Sequence, residues 1–495
     1  MIALRSIASA ALAFGALAAC AVGPEYSPPS PLAPQAGTFA SPTPTDASAN
    51  QPPANWWELY NTPAIDRLVQ AALTRNQNLL MAAANLAEAR AALSQARAGQ
   101  FPSTTLSAGA QYGVTDNEAF AANLLHHKPA SPEPNYSAGL DVSYEVDLFG
   151  QVRRAIEAAS ANYEAQKAAE DVMRVSVAGE TTRAYLDVCA YAEEYDVAKH
   201  SLDVVAESED ITAREVRDGT ASDFDLARAR ELEAQTRATL PTYEGQRHTA
   251  LFELAVLTGR PPEEISKDAD ACRSPPKLKA VLPIGDVKSL FRRRPDVREA
   301  ERQLASNVAQ IGVETANLYP TITIGASGST GANTLPGLSS VANLSYGIGP
   351  LLSWSFPNIL VAQAQIREAR ATASASYANF QATVLQALQD TEDALTAYGS
   401  ELDRNASLTI ARDQSETAFK LAQSRYRLGS ASYLDVLTAE TDLVNAASML
   451  AGSDQALASD QVTVFKALGG GWEQAPPVQP LPIVDARTGE AEKVK

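Results

Sequence analysis

Cys20 is the residue with the clearest chemical meaning, because Ala18 and Ala19 stand directly before it. Residues 1–19 hold one early basic residue and a short apolar run, the pattern of a signal peptide rather than of a spanning helix. Small residues before a cysteine favour a lipoprotein signal peptidase, which would leave Cys20 as the acylated first residue. The alternative is an ordinary secretory signal with an unrelated cysteine. The residue after the cysteine is Ala21, whereas an Asp at that position would favour retention in the inner membrane. The sequence therefore predicts that the lipoprotein is located in the outer membrane.

The other residue types that carry chemistry give no catalytic or metal site. The four histidines show no ligand spacing on one element. Two of them, in the run His126-His127-Lys128, fall in a loop between strands and are predicted to be a solvated tip. Four methionines, including the initiator, do not indicate a copper or silver path. Without a nucleotide-binding glycine loop or a nucleophile elbow, the sequence predicts no enzyme and no cofactor, so energy must come from a partner. The remaining two histidines are His200 and His248.

Composition excludes one class of partner and restricts how the chain can cross a bilayer. The 495 residues carry a formal charge of −18, with a pI near 4.8, which excludes nucleic acid because no basic face could release phosphate counterions. No stretch after Cys20 approaches the roughly 18 apolar residues of a membrane helix. A bilayer crossing would therefore need a β-barrel. The segments 20–55 and 469–495 are rich in small and polar residues and Pro, so we expect a lipid-anchored N-terminal segment and a C-terminal tail rather than core.

An internal duplication organises the chain. The run from Arg217 to Leu226 matches the run from Arg427 to Val436 at an offset of 210 residues. Upstream, Phe101-Pro102 matches Tyr319-Pro320 at an offset of 218. The eight residues by which the two offsets differ are therefore expected in a loop between Pro102 and Gly139. The sequence predicts a first repeat over 56–258, a connecting segment over 259–285 and a second repeat over 286–468.

Each repeat contains two segments in which apolar and polar residues alternate strictly. They predict strands at about 103–114 and 136–148, and again at about 321–330 and 343–356. Strands of about 10 residues are long enough to cross a bilayer when tilted. A soluble sheet with one wet face is the alternative, since alternation alone does not distinguish the two.

Most of the remaining chain has helical patterning. Long segments rich in Ala, Glu, Gln and Arg without Pro predict two helices of about 100 Å each at 1.5 Å per residue. In the last predicted helix, apolar residues recur every seven positions from Val436 to Val464, which indicates paired, supercoiled helices. The predicted helices are at about 64–101, 150–217, 220–258, 286–319, 360–428 and 430–468.

The strands require more than one copy of the chain if they lie in lipid. Four strands cannot close a barrel, and open sheet edges are not stable in hydrocarbon. Two chains would give eight strands with a filled interior, and three would give twelve with a lumen. The trimer fits a conduit with such long helices better. The predicted fold class is mainly α with a β-barrel part, built from a duplicated unit.

At the level of motifs, the whole mature chain resembles the outer membrane efflux protein family, the TolC-like outer-membrane factors, and in particular its NodT-type lipoprotein branch. The strongest marks lie near the N-terminus and around the start of the second repeat. They are Cys20-Ala-Val-Gly23-Pro24-Glu-Tyr26, Trp56-Trp57, Leu148-Phe149-Gly150, Arg293-Arg294-Pro295-Asp296-Val297, Leu318-Tyr319-Pro320 and Tyr426-Arg-Leu-Gly429.

The resemblance implies a TolC-like homotrimer with a twelve-stranded β-barrel in the outer membrane and a long α-helical barrel in the periplasm. It further implies docking to a periplasmic adaptor protein and an inner-membrane transporter of the resistance-nodulation-division class. We expect a lipid-anchored channel through which small molecules such as drugs leave passively. Two alternatives stay open: a duct for type I protein secretion, and a non-transporting lipoprotein that acts as a helical spacer or adhesin.

The same resemblance places the two duplicated turns at the periplasmic tip, next to the adaptor, and makes 259–285 an equatorial segment. Counting from that tip, Cys189 lies 30 residues back along its helix, roughly 45 Å. The paired helix 220–258 is about 60 Å long, and Cys272 follows in a segment with slack to fold back. We therefore expect a disulfide between Cys189 and Cys272, with two independent thiols as the alternative. The predicted adaptor-contact residues of the turns are Gly219, Ser222, Gly429 and Ser432.

The turns also contain acidic residues with two possible roles. Ser222 with Asp225, and Ser432 with Asp435, have the spacing of a capping box, which by itself starts a helix. For the serines we expect only that role. For the aspartates the resemblance implies a second role, because a trimer would hold six carboxylates around the narrowest part of the pore.

Tyr426 completes the predicted gate at the periplasmic tip. It resembles the family's tyrosine that ties neighbouring helices together. Where family members carry Arg two residues after Gly429, this chain has Ala431. The electrostatic part of the tie is therefore expected to be weaker or to involve Arg217 or Arg427.

Overall fold

The computed structural model describes most of the chain, in two compact units. The described residues are 21–30, 37–41, 44, 47–114, 120, 124, 131–278, 281–354 and 359–480. Cys20, His126 and His127 lie outside them. The first unit is made of Met1–Pro29, Glu88–Ala165 and Glu301–Asn379, and the second of Ser30–Ala87, Gln166–Ala300 and Phe380–Lys495.

The strands are β1 (Ala47–Ser48), β2 (Ser103–Gly113), β3 (Glu133–Val146), β4 (Leu282–Pro283), β5 (Thr321–Ala332) and β6 (Leu344–Ser353). The helices are α1 (Pro63–Arg75), α2 (Gln77–Ala98), α3 (Gln151–Arg217), α4 (Asp223–Leu257), α5 (Lys267–Asp270), α6 (Val287–Arg293), α7 (Pro295–Ala316), α8 (Ile359–Arg427) and α9 (Tyr433–Ala467). Among the described residues, no helix has both the length and the apolar character that a membrane crossing requires.

The first unit contains a four-stranded antiparallel sheet in the order β2-β3-β5-β6. Each repeat contributes one antiparallel pair, and β3 joins β5 so that Tyr136 lies opposite Ala332 and Val146 opposite Ile322. The sheet is therefore continuous across the duplication.

The pairing register separates apolar from polar side chains on the two faces of this sheet. Directly paired residues share a face, and successive residues alternate between faces. One face carries rows that are mostly apolar, among them Leu106, Leu140, Gly328 and Tyr346, and next to them Thr104, Val142, Ala326 and Ile348. The other face carries rows of small and polar residues, among them Ser107, Gly139, Ser329 and Ser345, and next to them Thr105, Asp141, Ser327 and Gly347. Leu351 is an exception on the polar face.

The second unit has its largest apolar core around the start of the first repeat. Trp56 is fully buried, and its ring stacks on that of Phe465 with centroids 4.6 Å apart. The short parallel pair of β1 with β4 aligns Ala47 with Leu282. The N-terminal segment and the connecting segment thus contribute to an ordered part of this unit, although the composition of residues 20–55 predicted no core.

The predicted helix 64–101 is two helices, α1 and α2, because the chain turns at Asn76. Asn76 has an extended backbone with ψ of 129°. Its side-chain oxygen accepts hydrogen bonds from the backbone N–H groups of Asn78 and Leu79, at 3.0 and 3.3 Å, which caps the second helix. Its amide donates to the carbonyl of Leu257 at 3.0 Å.

The predicted helix 286–319 is likewise two helices, α6 and α7, and the cause is Pro295. The residue before proline is driven out of the helical region by the proline ring. Arg294 accordingly has φ −75° and ψ 105°. Its guanidinium bonds Asp296 at 2.9 and 2.6 Å and Asp390 at 3.1 Å, so this break is also an ion-pair site.

Candidate functional site

The turn between α3 and α4 closes with a pair of hydrogen bonds of the Schellman type. The N–H of Gly219 donates to the carbonyl of Val216 at 3.1 Å, and the N–H of Thr220 donates to that of Glu215 at 2.8 Å. Gly219 has φ of 76°, in the left-handed region that favours glycine. This geometry satisfies carbonyls at the end of α3 that the helix itself leaves open.

The turn between α8 and α9 repeats this geometry. The N–H of Gly429 donates to the carbonyl of Tyr426 at 2.8 Å, and that of Ser430 donates to Arg425 at 2.9 Å. Gly429 has φ of 73°. The duplication seen in the sequence therefore extends to the backbone of both turns.

Reciprocal capping boxes start the helices after both turns. In the first, the Ser222 hydroxyl accepts from the Asp225 N–H at 3.2 Å, and Asp225 Oδ2 accepts from the Ser222 N–H at 3.1 Å. In the second, the matching distances for Ser432 and Asp435 are 3.3 and 2.8 Å. Hydrogen bonds from Ser432 hold the pKa of Asp435 below its usual value. Both aspartates thus use Oδ2 to hold their own helix starts.

Tyr426 connects the two repeats beside these turns. Its hydroxyl donates to Glu215 Oε2 at 2.5 Å, which links α8 to α3. Burial and the Glu215 carboxylate both raise the pKa of Tyr426. The partner of the hydroxyl is a carboxylate, whereas the sequence predicts an electrostatic tie that is weaker or that involves Arg217 or Arg427. Arg217 instead donates to the carbonyl of Ala213 in its own helix, at 3.3 Å.

A small apolar cluster lies behind the turns. Tyr433 and Leu437, from the first turns of α9, pack with Val205 of α3 and Ala229 and Leu232 of α4. The rings of Tyr426 and Tyr433 meet edge to face with centroids 5.9 Å apart. The second repeat therefore supplies the aromatic side chains at this position.

Cys189 and Cys272 meet in the second unit. The Cα atoms of Cys189, in α3, and Cys272, after α5, are 5.0 Å apart, and the sulfurs are bonded at 2.07 Å. Cys189 is fully buried. Nearby, the Ser274 hydroxyl donates to Glu193 at 3.1 Å, so a second contact joins the same segment to α3.

Residues directly after Cys20 are tied to the first unit. The N–H of Val22 donates to the carbonyl of Phe149 at 3.1 Å, and Arg154 Nε donates to the carbonyl of Val22 at 3.2 Å. Gly23 has φ of 96° and packs so closely that a Cβ there would lie 2.5 Å from Gly312 Cα. Because Phe149 lies just past the end of β3, this segment is held where the sheet ends and α3 begins.

No set of His, Cys, Asp or Glu residues within the described ranges is arranged to hold a metal ion. The described ranges instead contain two equivalent turns, a hydrogen bond between the two repeats and a sheet with one apolar and one polar face.

The profile of the outer membrane efflux protein family matches residues 68–260 and 287–470, one match for each repeat. The chain belongs to the outer membrane efflux protein family. This confirms the resemblance that the motifs predicted, and it makes the protein a channel component rather than an enzyme.

Relatives of this outer membrane efflux protein cover nearly its whole length. Nodulation protein T of Rhizobium leguminosarum bv. viciae is 28% identical over 458 residues, covering 92% of both chains. The pyoverdine export outer membrane protein OpmQ of Pseudomonas aeruginosa is 30% identical over 424 residues, covering 84% of this chain and 87% of that protein. The solved structure of the outer-membrane channel OprN has a TM-score of 0.83 at 30% identity, covering 92% of this chain and 100% of that chain. The predicted TolC-like channel fold is thereby confirmed.

Sequence reasoning missed two residues at the turns. Glu215, the partner of Tyr426, has no signal in the duplication, since the 210-residue offset aligns Tyr426 with Val216 and not with Glu215. Glu440 was detectable as an acidic residue on the apolar stripe of α9, at helical spacing from Tyr433 and Leu437.

Proposed function

We propose that this outer membrane efflux protein forms a homotrimeric, lipid-anchored exit duct for small molecules. It would operate with a periplasmic adaptor and an inner-membrane resistance-nodulation-division transporter. The observation that carries the proposal is the sheet with one apolar and one polar face, joined in one chain to helices of 67 and 69 residues.

The apolar face of the sheet suits contact with lipid. Leu106, Tyr346 and Ile348 on this face are 81%, 85% and 82% exposed in the single chain. So many exposed large apolar side chains need an apolar environment, since isolated soluble proteins rarely show such contiguous patches. Three chains would supply twelve strands, which removes the sheet edges and encloses a lumen.

The polar face of the sheet suits a water-filled path. Every charged residue in the four long strands is acidic, and all three lie on this face: Glu133, Asp141 and Glu145. Carboxylates lining a water-filled lumen favour cations over anions. This distribution of charge supports a conduit for hydrated solutes. A spacer or adhesin would have no evident need for a polar face opposite the apolar one.

Small-molecule export is favoured over protein secretion by what related proteins export. OpmQ is described as a pyoverdine export protein. Other relatives are antibiotic, solvent and toluene efflux pump proteins of Pseudomonas putida. None of these names describes protein secretion.

The entrance would be set by the paired turns. We place the gate at Asp225, Asp435 and Tyr426, with the adaptor contacting the two turns. In a trimer the aspartates would supply six carboxylates. Tyr426 and Glu215 would hold α8 against α3 in the resting state.

The lipid anchor would be attached at Cys20, two residues before Val22. The ties from Val22 to Phe149 and from Arg154 back to Val22 place the neighbouring residues at the junction of sheet and helix, where a bilayer surface would lie. Replacing Cys20→Ala should abolish incorporation of labelled fatty acid. Unchanged labelling would exclude this site.

The disulfide between Cys189 and Cys272 would fasten the connecting segment to α3. Closing a loop between residues 83 apart in sequence constrains the unfolded chain, and such bonds stabilise proteins by about 2–4 kcal/mol. A mass increase of two hydrogens on reduction of the purified protein is expected. An unchanged mass would show two independent thiols.

Single-channel recording in planar bilayers tests the proposed duct. The purified full-length protein should conduct, with permeability favouring cations. A matched variant, Asp141→Asn, should keep conductance and lose part of the preference, because it removes one carboxylate per chain from the polar face without changing side-chain size. Absence of conductance at every voltage and salt concentration would favour the spacer instead.

A further inference from the structure

Glu440 is a buried carboxylic acid in α9, two turns of helix beyond the capping residue Ser432. Its relative exposure is 0%. Neither of its carboxylate oxygens has a hydrogen-bond partner within the described part of the chain. An ionised carboxylate in such a place lacks both water and a counter-charge, which is costly.

This acid is buried where α9 packs against α3 and α4. Tyr433 and Leu437, on the same stripe of α9, share an apolar cluster with Val205 of α3 and with Ala229 and Leu232 of α4. The hydroxyl of Ser208 in α3 lies near Glu440 without making a well-formed hydrogen bond, and it offsets only part of the effect of burial on the pKa of this acid. If α9 moved away from α3 at this level, water would reach the carboxylate.

A cavity of about 870 Å³ borders Glu440 and provides the route for that water. Charged groups of α3 and α8 line this cavity. From α3 they are Glu193, Asp196 and His200, and from α8 they are Arg412, Glu416 and Lys420. Arg273 and Asp454 complete the set.

The basic groups from α8 are already engaged at this cavity. Lys420 and Arg412 both pair with Glu416, at 2.6 and 3.8 Å. They therefore neutralise Glu416 rather than Glu440.

We propose that Glu440 is a proton site that couples the packing of α9 against α3, directly behind the tip turns, to the pH of the surrounding compartment. When protonated, the acid stays buried and the packed arrangement is stable. When it loses its proton, the charge favours an arrangement in which α9 separates from α3 and water enters from the cavity.

The direction of the pH effect follows from the surroundings of the acid. Burial raises the pKa of Glu440 from 4.5 to about 7, and Ser208 offsets only part of this. A separated arrangement would restore the usual value. The packed state therefore has its full stability below about pH 4.5 and loses stability as the pH rises. Above about pH 7 it bears the whole free-energy cost of burying an ionised carboxylate.

The equivalent position in the first repeat has the opposite chemistry. Residue 230, which the 210-residue offset aligns with 440, is an exposed arginine. Arg230 pairs with Glu209 of α3 at 2.9 Å. The first repeat thus joins its helices by an exposed ion pair at this level, and the second by a buried acid.

Hydrogen exchange of the full-length assembled protein, read between pH 5 and pH 8, tests the proposal. Exchange in peptides covering 204–212 and 433–444 is divided by the intrinsic rate at each pH. Protection should fall with rising pH by up to about 100-fold, since each unit of pKa difference is worth tenfold. In Glu440→Gln, which stays neutral and keeps the size, protection should change less than about threefold.

Control variants separate Glu440 from its neighbours. Glu416→Gln removes a half-buried, paired acid from the same cavity, and His200→Asn removes the histidine, so both should keep the pH dependence of the parent. Glu440→Leu should show high protection at every pH. A parent protein with constant protection, or a Glu440→Gln variant that loses protection as the parent does, would overturn the proposal.

The proposal goes beyond the proposed duct and does not depend on it. Protection reports packing without any need for conductance. Bilayer recordings on the same preparation would show separately whether the protein is a channel.

Discussion

The two helix turns of this protein share a backbone and differ in their contacts. Both close through a left-handed glycine, both start the next helix with a Ser and Asp capping box, and equivalent hydrogen bonds agree within 0.3 Å. The side chains around them diverge. Where the second repeat has Tyr426 and Tyr433, the first has Val216 and Asp223.

This difference shows which features of the duplication are tied to folding and which to interaction. Backbone geometry and capping recur because every such turn must satisfy the same helix ends. The cross-repeat contacts come from the second repeat, which donates the Tyr426 hydroxyl to Glu215 and packs Tyr433 on Val205. We infer that the two turns have equal structural roles and unequal roles in closure.

The largest expected difference is at the aligned pair Tyr433 and Asp223. Tyr433 is 8% exposed within the apolar cluster, so Tyr433→Ala should destabilise the packing behind the turns by about 3 kcal/mol. Asp223 is exposed, so Asp223→Ala should change the stability of this packing by less than about 0.5 kcal/mol. Native-state hydrogen exchange of peptides in α3, α4 and α9 measures both, and equal effects would remove the asymmetry.

The glycines should show the opposite result, equal costs in both turns. Nothing lies within 4 Å of a Cβ built at Gly219 or Gly429, so only backbone strain opposes a side chain there. Gly219→Ala and Gly429→Ala should each cost about 1–2 kcal/mol, as expected for a left-handed L-residue. A cost confined to one turn would show that the shared backbone is not equally required.

The capping serines give a smaller, again symmetric, effect. Ser222→Ala and Ser432→Ala should each cost about 1 kcal/mol of local helix stability. Exchange of the first-turn amides of α4 and α9 would report it. If either variant exchanges like the parent, that capping box does not stabilise its helix.

The smallest effect concerns pH and Asp435. Because Ser432 lowers the pKa of this acid, its stabilising contribution is present above the usual value of 3.8 and is lost as the pH falls through the lowered one. Ser432→Ala should shift the Asp435 pKa upward, toward 3.8, by side-chain NMR titration. A pKa that does not move would assign the lowering to another group.

Much of this fold could be predicted from the sequence because it depends on repeated local rules. Strict alternation gave the strands, proline-free runs gave the long helices, and Gly-x-x-Ser with a following Asp gave the turns. The breaks at Asn76 and Pro295 were missed, since each lies inside a segment whose composition favours helix on both sides. Pro295 offered a signal through its effect on Arg294, whereas Asn76 depends on a tertiary contact with Leu257.

The site was predicted less completely than the fold. Asp225, Asp435 and Tyr426 could be placed at the turns from the duplication and the family resemblance. The partner Glu215 and the burial of Glu440 depend on how α3 packs against α8 and α9, and spacing along one helix does not determine packing between helices.

We infer that the second repeat holds the proposed entrance closed through the contact of Tyr426 with Glu215, and the resting conductance of Tyr426→Phe in planar bilayers measures this effect. Hydrogen bonds to charged groups contribute about 1.5–3 kcal/mol, so loss of this hydroxyl should raise the open fraction about tenfold or more. Asp225→Ala combined with Asp435→Ala should, in the same recordings, reduce cation selectivity. Conductance and selectivity equal to the parent in both variants would contradict the account and leave these residues as helix caps and packing.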